Sequence, residues 1–153
     1  MAFGDANLIA ELELLRSLTS SDFIALAHLQ GNMGRGGWDY VLGNSNDRYQ
    51  QMVIKSGNGL AGHALRLGRW VKLDDTHPKS SQERLHCPLM LAEQLKTAAV
   101  FPLVTTSSPV ILGLLYMGKR EQTRFEPNEW LAAHDNLYTL ASILVEIKKE
   151  SVK

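Results

Sequence analysis

The stretch Gly57-Asn58-Gly59-Leu60-Ala61-Gly62 offers the clearest chemistry in this chain. Glycines on either side of an asparagine let the backbone turn tightly and approach a ligand with no Cβ in the way. The run from Leu60 to Leu67 then reads as a helix, closed by Gly68 at its C′ position. Leu60, Ala61 and Gly62 would supply the first amides of that helix. Such amides are unpaired and carry a partial positive charge of roughly half a unit, enough to hold an anion without a counter-ion. Trp38 is the second feature, a plate that could stack on a flat anion and donate its indole N–H. Each has a plainer reading. A Gly-x-Gly before a helix more often makes only a turn, and a tryptophan after a glycine loop more often anchors a core.

Other reactive side chains are sparse. The single cysteine, Cys87, excludes an intramolecular disulfide and a Cys-rich metal site. None of the five histidines, His28, His63, His77, His86 and His134, pairs with another at the i, i+4 spacing of a zinc helix. His86 beside Cys87 is one soft pair, too little for a metal, and no nucleophile elbow or cysteine-protease pattern surrounds it. Cys87 reads as a small buried thiol lining a pocket. Asp47 and Arg48 suggest a structural ion pair, and Asp74-Asp75 a solvated turn. The expectation is a non-enzyme with no cofactor and no metal.

The elements that must position these residues follow from periodicity. Leu8, Leu12, Leu15 and Leu18 form one helical stripe over residues 5–19. Phe23–Leu29 and Trp38–Leu42 read as strands of a hairpin around a glycine-rich turn at 31–37. The segment 44–50 is a polar turn, Arg69–Leu73 a short strand and 74–83 a polar loop. A short helix is predicted over 91–96. Ala98–Thr105 and Val110–Lys119 pair as strands across a turn at 106–109. Pro127 opens a long helix to about Lys149, with Trp130, Leu137, Leu140, Leu144 and Ile147 on one side. This order predicts an α/β (α+β) chain with a central antiparallel sheet, in one domain over residues 1–153.

Composition narrows the partners. Hydrophobic residues at 44% and charged residues at 21% match a soluble domain with its own core. Sixteen basic residues balance sixteen acidic ones, so no field favours nucleic acid or an anionic membrane. No secretory signal and no stretch of about 20 apolar residues is present, so a cytoplasmic location is expected.

Three stretches resemble a GAF domain: Gly57–Gly62 with its helix and the strand Trp70–Asp75; Leu95-Lys96-Thr97-Ala98-Ala99-Val100-Phe101-Pro102-Leu103; and Val110-Ile111-Leu112-Gly113-Leu114-Leu115-Tyr116. The resemblance implies terminal helices on one side of the sheet and a ligand pocket with short helices on the other. More narrowly, Trp38 to Tyr49 followed by Gly59-Leu60-Ala61-Gly62 is similar to the free-standing NreA-type nitrate receptors, which regulate an oxygen-sensing histidine kinase. In that family nitrate sits against a tryptophan, the amides that open the pocket helix, and a Tyr-Pro-Ile segment. Carried over, these are Trp38, Leu60, Ala61, Pro88 and Leu89, with Cys87 in place of the family tyrosine.

The function this implies is a sensor binding nitrate or a similar small anion and regulating a sensor histidine kinase. The alternatives are a pocket for another small organic ligand, made roomier by Cys87, or a ligand-free interaction module. Leu8, Leu12, Leu15 and the stripe from Leu137 to Ile147 could form a homodimer face or simply pack against the sheet.

Overall fold

The computed structural model describes residues 3–29, 35–105 and 108–152. In chain order the elements are α1 (Phe3–Leu18), β1 (Phe23–His28), β2 (Arg35–Gly36), β3 (Tyr40–Leu42), a 3-10 turn (Arg48–Gln51), β4 (Ile54–Lys55), α2 (Gly59–Leu67), β5 (Val71–Leu73), α3 (Ser80–Arg84), α4 (Pro88–Glu93), β6 (Thr97–Thr105), β7 (Ser108–Lys119) and α5 (Pro127–Val152). Five strands form one antiparallel sheet in the order β3-β1-β7-β6-β5, while β2 and β4 pair separately.

The sheet is covered on both faces, which is why its strands are apolar almost throughout. Side chains alternate strictly. Ile24, Leu26, Ala99, Phe101, Leu103, Leu115 and Met117 face one layer with Leu8, Leu12 and Leu15 of α1 and Leu140, Ala141 and Leu144 of α5. Phe23, Ala25, Ala98, Val100, Leu114 and Tyr116 face the other, against α2, α4 and Trp38. The terminal helices thus share one side and the short helices the other, as the GAF-type expectation required. Leu8, Leu12, Leu15, Leu140 and Leu144 are buried within the chain itself. The outward positions Leu14, Leu18, Leu131 and Tyr138 are exposed.

The β1–β3 hairpin forms with Ile24 opposite Leu42 and Leu26 opposite Tyr40. Its turn is only partly visible, since residues 30–34 lie outside the described residues, as do 106–107 of the second turn. Arg35 and Gly36 are a short strand rather than part of an irregular turn, because Ile54 and Lys55 offer them a ladder. The segment 74–83 is not all loop: α3 begins at Ser80. Nor is Asp74 solvated; it is buried and receives hydrogen bonds from Lys72 Nζ and the Thr76 amide and hydroxyl. No ion pair joins Asp47 to Arg48; the Arg48 amide instead donates to Asn46 Oδ1.

The helix expected at 91–96 lies at Pro88–Glu93. Pro88 fixes its start, its ring suiting the first helical position. Gln94 stops it by adopting φ 57°, and the Leu95 amide bonds back to Met90 O at 2.9 Å. A left-handed stop without glycine leaves no mark in the sequence. No described helix is long and apolar enough to cross a membrane.

Candidate functional site

Tyr116 on β7, the segment Gln51–Lys55, the start of α2 and residues 86–89 border a half-open cavity of about 470 Å³. Six residues singled out from the sequence meet there: Trp38, Leu60, Ala61, Cys87, Pro88 and Leu89. Gly62 does not.

The start of α2 explains the difference. Gly57 and Gly59 take φ of 86° and 68°, a left-handed backbone that glycine adopts without strain. A Cβ on Gly59 would also stand 3.3 Å from His86 O, so the glycine brings α2 close to the 86–88 segment. Asn58, the N-cap, makes no side-chain bond to the amides that follow. The first amide with a helical partner is Gly62, which donates to Asn58 O at 3.1 Å. Gly62, expected from the sequence among the binding residues, is placed instead against Lys55 and Gly57. Its carbonyl accepts from Gly57 N at 2.8 Å, and a Cβ there would lie 2.2 Å from Lys55 O. The amides of Leu60 and Ala61 remain without a helical acceptor, at the positive end of the helix and on the cavity wall.

Cys87 closes one side. Its thiol donates to Glu83 O at 3.4 Å, and the Leu60 amide faces its sulfur. Burial pushes the thiol pKa up, so Cys87 is a neutral thiol near pH 7 and a weak hydrogen-bond acceptor. Leu89 is buried against the core while Pro88 is exposed, so of the two only Leu89 shields the cavity from water. His86 is exposed, as is Lys55. Trp38 lies two residues before β3 rather than within a strand, with the neighbouring Asp39 amide bonded to Leu26 O.

Tyr116 also lines the cavity and was not singled out from the sequence. It lies in the middle of β7, between Ala25 and Val100, and its ring meets Phe23 and Trp38 edge-on at 6.0 and 5.4 Å. Only 2% of the residue is exposed, yet its hydroxyl has no hydrogen-bond partner. In sequence it ends an apolar strand and reads as core. The available signal was its polar tip at a position whose alternation points to the α2 side.

The cavity is thus lined largely by apolar groups, with the exposed Gln51, Lys55, Asn58 and His86 at its rim and no buried cation. No group of three or more His, Cys, Asp or Glu able to hold a metal occurs among the described residues.

The sequence profile of the GAF domain matches residues 5–143. The chain belongs to the GAF domain family. No curated protein sequence matches it. Among solved structures, this GAF domain is similar to an NreA protein of Staphylococcus aureus mutated in its nitrate-binding site, at 27% identity over 80% of this chain and 91% of that one, TM-score 0.67. It also shares its fold with the GAF domain of a two-component sensor histidine kinase from Bacillus halodurans, at 18% identity, 99% of both chains and TM-score 0.70. A free methionine-R-sulfoxide reductase from Thermoplasma acidophilum has the same fold, at 17% identity, 94% and 93% coverage and TM-score 0.70.

In this GAF domain the polar segment after β3 braces the pocket from behind. Ser45 donates through its amide and hydroxyl to Glu93 Oε1, and Asn46 Nδ2 donates to Ala92 O at 2.8 Å. Arg120 completes the brace with bonds to Glu93 Oε1 at 2.6 Å and to Gly43 O at 2.9 Å. Glu93 ends the helix that Pro88 and Leu89 begin, so the segment positions the pocket wall rather than lining the cavity.

Proposed function

We propose that this GAF domain is a cytoplasmic small-molecule sensor, acting as one domain over residues 1–153, whose pocket takes nitrate or a similar small monovalent anion at the start of α2. Occupancy of the site would alter engagement of a sensor histidine kinase, in a homodimer joined through the terminal helices. The observation that carries this reading is the N-terminus of α2, where the Asn58 side chain makes no cap bond, Leu60 and Ala61 line the cavity, and the Leu60 amide meets only the weak acceptor sulfur of Cys87. The similarity to a protein with a nitrate-binding site supports the choice of anion. No catalytic constellation accompanies the pocket among the described residues, so the proposal is binding and not turnover.

Nitrate is flat, monovalent and weakly hydrated, so a few neutral donors in a largely apolar pocket can hold it. Sulfate and phosphate bring a second charge whose dehydration neutral donors do not offset. The test is thermal unfolding in sodium nitrate, chloride and sulfate at matched ionic strength. A ligand at one hundred times its Kd adds about 2.7 kcal/mol, which for a domain of this size raises Tm by on the order of 5–10 °C. Equal melting temperatures in nitrate and chloride at tens of millimolar would end the proposal.

The cavity volume favours a second reading. At about 470 Å³ it exceeds the space of several waters, each roughly 30 Å³, and leaves room beside nitrate. A small organic anion could place its charged end at α2 and its body against Met52, Ile54 and Leu89. Mass spectrometry of small molecules released from the purified protein distinguishes the two.

A further inference from the structure

We propose that the open cavity beyond the far end of α4, bordered by Arg84, Lys96 and Arg120, is a second ligand site that takes a phosphate-bearing small molecule. The inference goes beyond the anion reading of the α2 pocket and does not depend on it.

The cavity measures about 700 Å³ and lies at the opposite end of α4 from the first. Pro88 and Leu89 open that helix and border the α2 pocket, while Gln94 ends it and borders this one. The turn after the helix gathers the cations. Arg84 Nε donates to Leu95 O at 2.6 Å, and Arg120 Nε donates to Glu93 O at 2.9 Å. The two guanidinium groups are thus tethered to carbonyls two residues apart, with Lys96 next in the chain.

Arg84 carries the argument. Arg16, Arg120 and Arg124 each pair with a carboxylate, whereas the half-buried Arg84 has the Leu95 carbonyl and no carboxylate among the described residues. A guanidinium drawn partly out of water without a counter-ion is a cost to the fold, and an anion from outside offsets it. The tether at Nε also orients the planar fork that matches a phosphate group. Lys96, exposed beside it, has no ion pair among the described residues, and Ser80 and Ser81 line the same cavity.

The charge class follows from the exposure. A monovalent anion gains little over water in an open site, whereas a phosphate dianion meets two unpaired cations at once. Two carboxylates border the cavity as well. Asp75 already accepts from Thr123 and Arg124, each at 2.9 Å, and Glu121 is exposed. Glu121 is an acceptor for a hydroxyl or amine on the organic part of the ligand. The volume leaves room for that part, since a water takes roughly 30 Å³ and a phosphate only a few times as much.

The test is calorimetric titration of the whole chain with glycerol phosphate, inorganic phosphate and glycerol at low ionic strength. We expect glycerol phosphate to bind with a Kd of about 1 mM or tighter, and glycerol not at all. Arg84→Gln should raise that Kd about tenfold and Lys96→Gln about threefold, as a charge-assisted contact is lost. Absence of saturable binding by either phosphate overturns the proposal, as does a Kd unchanged in both variants. Should Arg84→Gln fail to fold, Lys96→Gln and the backbone amide NMR shifts of the parent decide. Ligand-dependent shifts at Ser80, Ser81 and Lys96 support the site, and shifts confined to Leu60 and Ala61 overturn it.

Discussion

Trp38 and Tyr116 meet edge to face, their ring centres 5.4 Å apart and their planes at 80°. The contact joins the segment before β3 to the middle of β7 and forms the floor of the cavity. Edge-on packing adds to the area that both rings bury. Trp38→Ala is expected to cost about 3–5 kcal/mol, the range for emptying a large aromatic site. Trp38→Phe should cost less than half as much. Urea unfolding of both variants checks this, and a loss below about 1 kcal/mol for Trp38→Ala would show that the indole is not part of the core.

Ala61→Pro isolates the amide from the side chain. Proline is tolerated in the first helical turn, where the lost N–H had no helical acceptor. Nitrate affinity is expected to fall about tenfold with Tm changed by only a few degrees. Calorimetry beside a melting curve separates the two effects, and undiminished affinity would remove the Ala61 amide from the site.

Acid should weaken the fold through two carboxylates. Burial works against the charged form of Asp74, but hydrogen bonds from Lys72 and Thr76 outweigh it and hold the pKa below 3.8. Glu129 is likewise held below 4.5, with burial outweighed by the Glu126 amide and Lys119. A carboxylate with a lowered folded pKa stabilises above its unfolded pKa and loses that contribution as pH falls through the folded value. Tm should therefore hold from neutrality to about pH 5 and decline below about pH 4.5. Glu129→Gln should flatten part of that decline, and an equally steep curve would exclude Glu129 as a source.

Lys119 tests the same pair at neutral pH. Its ammonium lies 2.6 Å from Glu129 Oε1 and 4.7 Å from the centre of the Phe125 ring, with only 1% of the side chain exposed. Lys119→Met leaves the Glu129 charge buried without its partner, at a cost of about 3–5 kcal/mol. Denaturant unfolding measures it. A near-neutral result would mean that water reaches the carboxylate.

Alkali acts on Cys87 with the opposite sign. Its folded pKa is raised above 9.0 by burial, so the unfolded chain gives up the proton first. Its contribution is intact below about pH 9 and is lost as pH rises toward the folded value. Cys87→Ala should reduce the fall in Tm between pH 8.5 and 10. Thiol labelling at pH 8 should be slow in the parent and slower with nitrate bound; labelling at the rate of a free thiol would contradict the burial.

The layered fold was legible because strand alternation and helical stripes survive in the residues themselves. Phe23–His28 and β7 bury both faces and read as apolar runs, and Pro127 and Gly68 mark helix ends by their own chemistry. The errors have a common cause. Gln94 ends α4 in a left-handed conformation, and Asp74 is buried by a lysine two residues away; both depend on neighbours that the sequence does not rank. Leu60, Ala61 and Cys87, which line the cavity, stand out in the sequence through a glycine turn, a family pattern and a lone thiol. Gly62 lies away from the cavity because a glycine that admits a ligand and one that admits Lys55 O look the same in one dimension. Tyr116 was missed for the converse reason, since a tyrosine among leucines resembles any other core aromatic.

Arg120 gives the brace behind the pocket a wider reach. Its guanidinium grips the end of α4 and the Gly43 carbonyl, while its own amide donates to Asp22 Oδ2 at 2.7 Å, in the turn between α1 and β1. One residue thus clamps the cavity wall to the root of the opposite helical layer. A ligand that draws α4 inward must either carry that turn along or break the clamp. A displacement of α4 on one side of the sheet would thus reach the α1–β1 turn on the other through a single side chain.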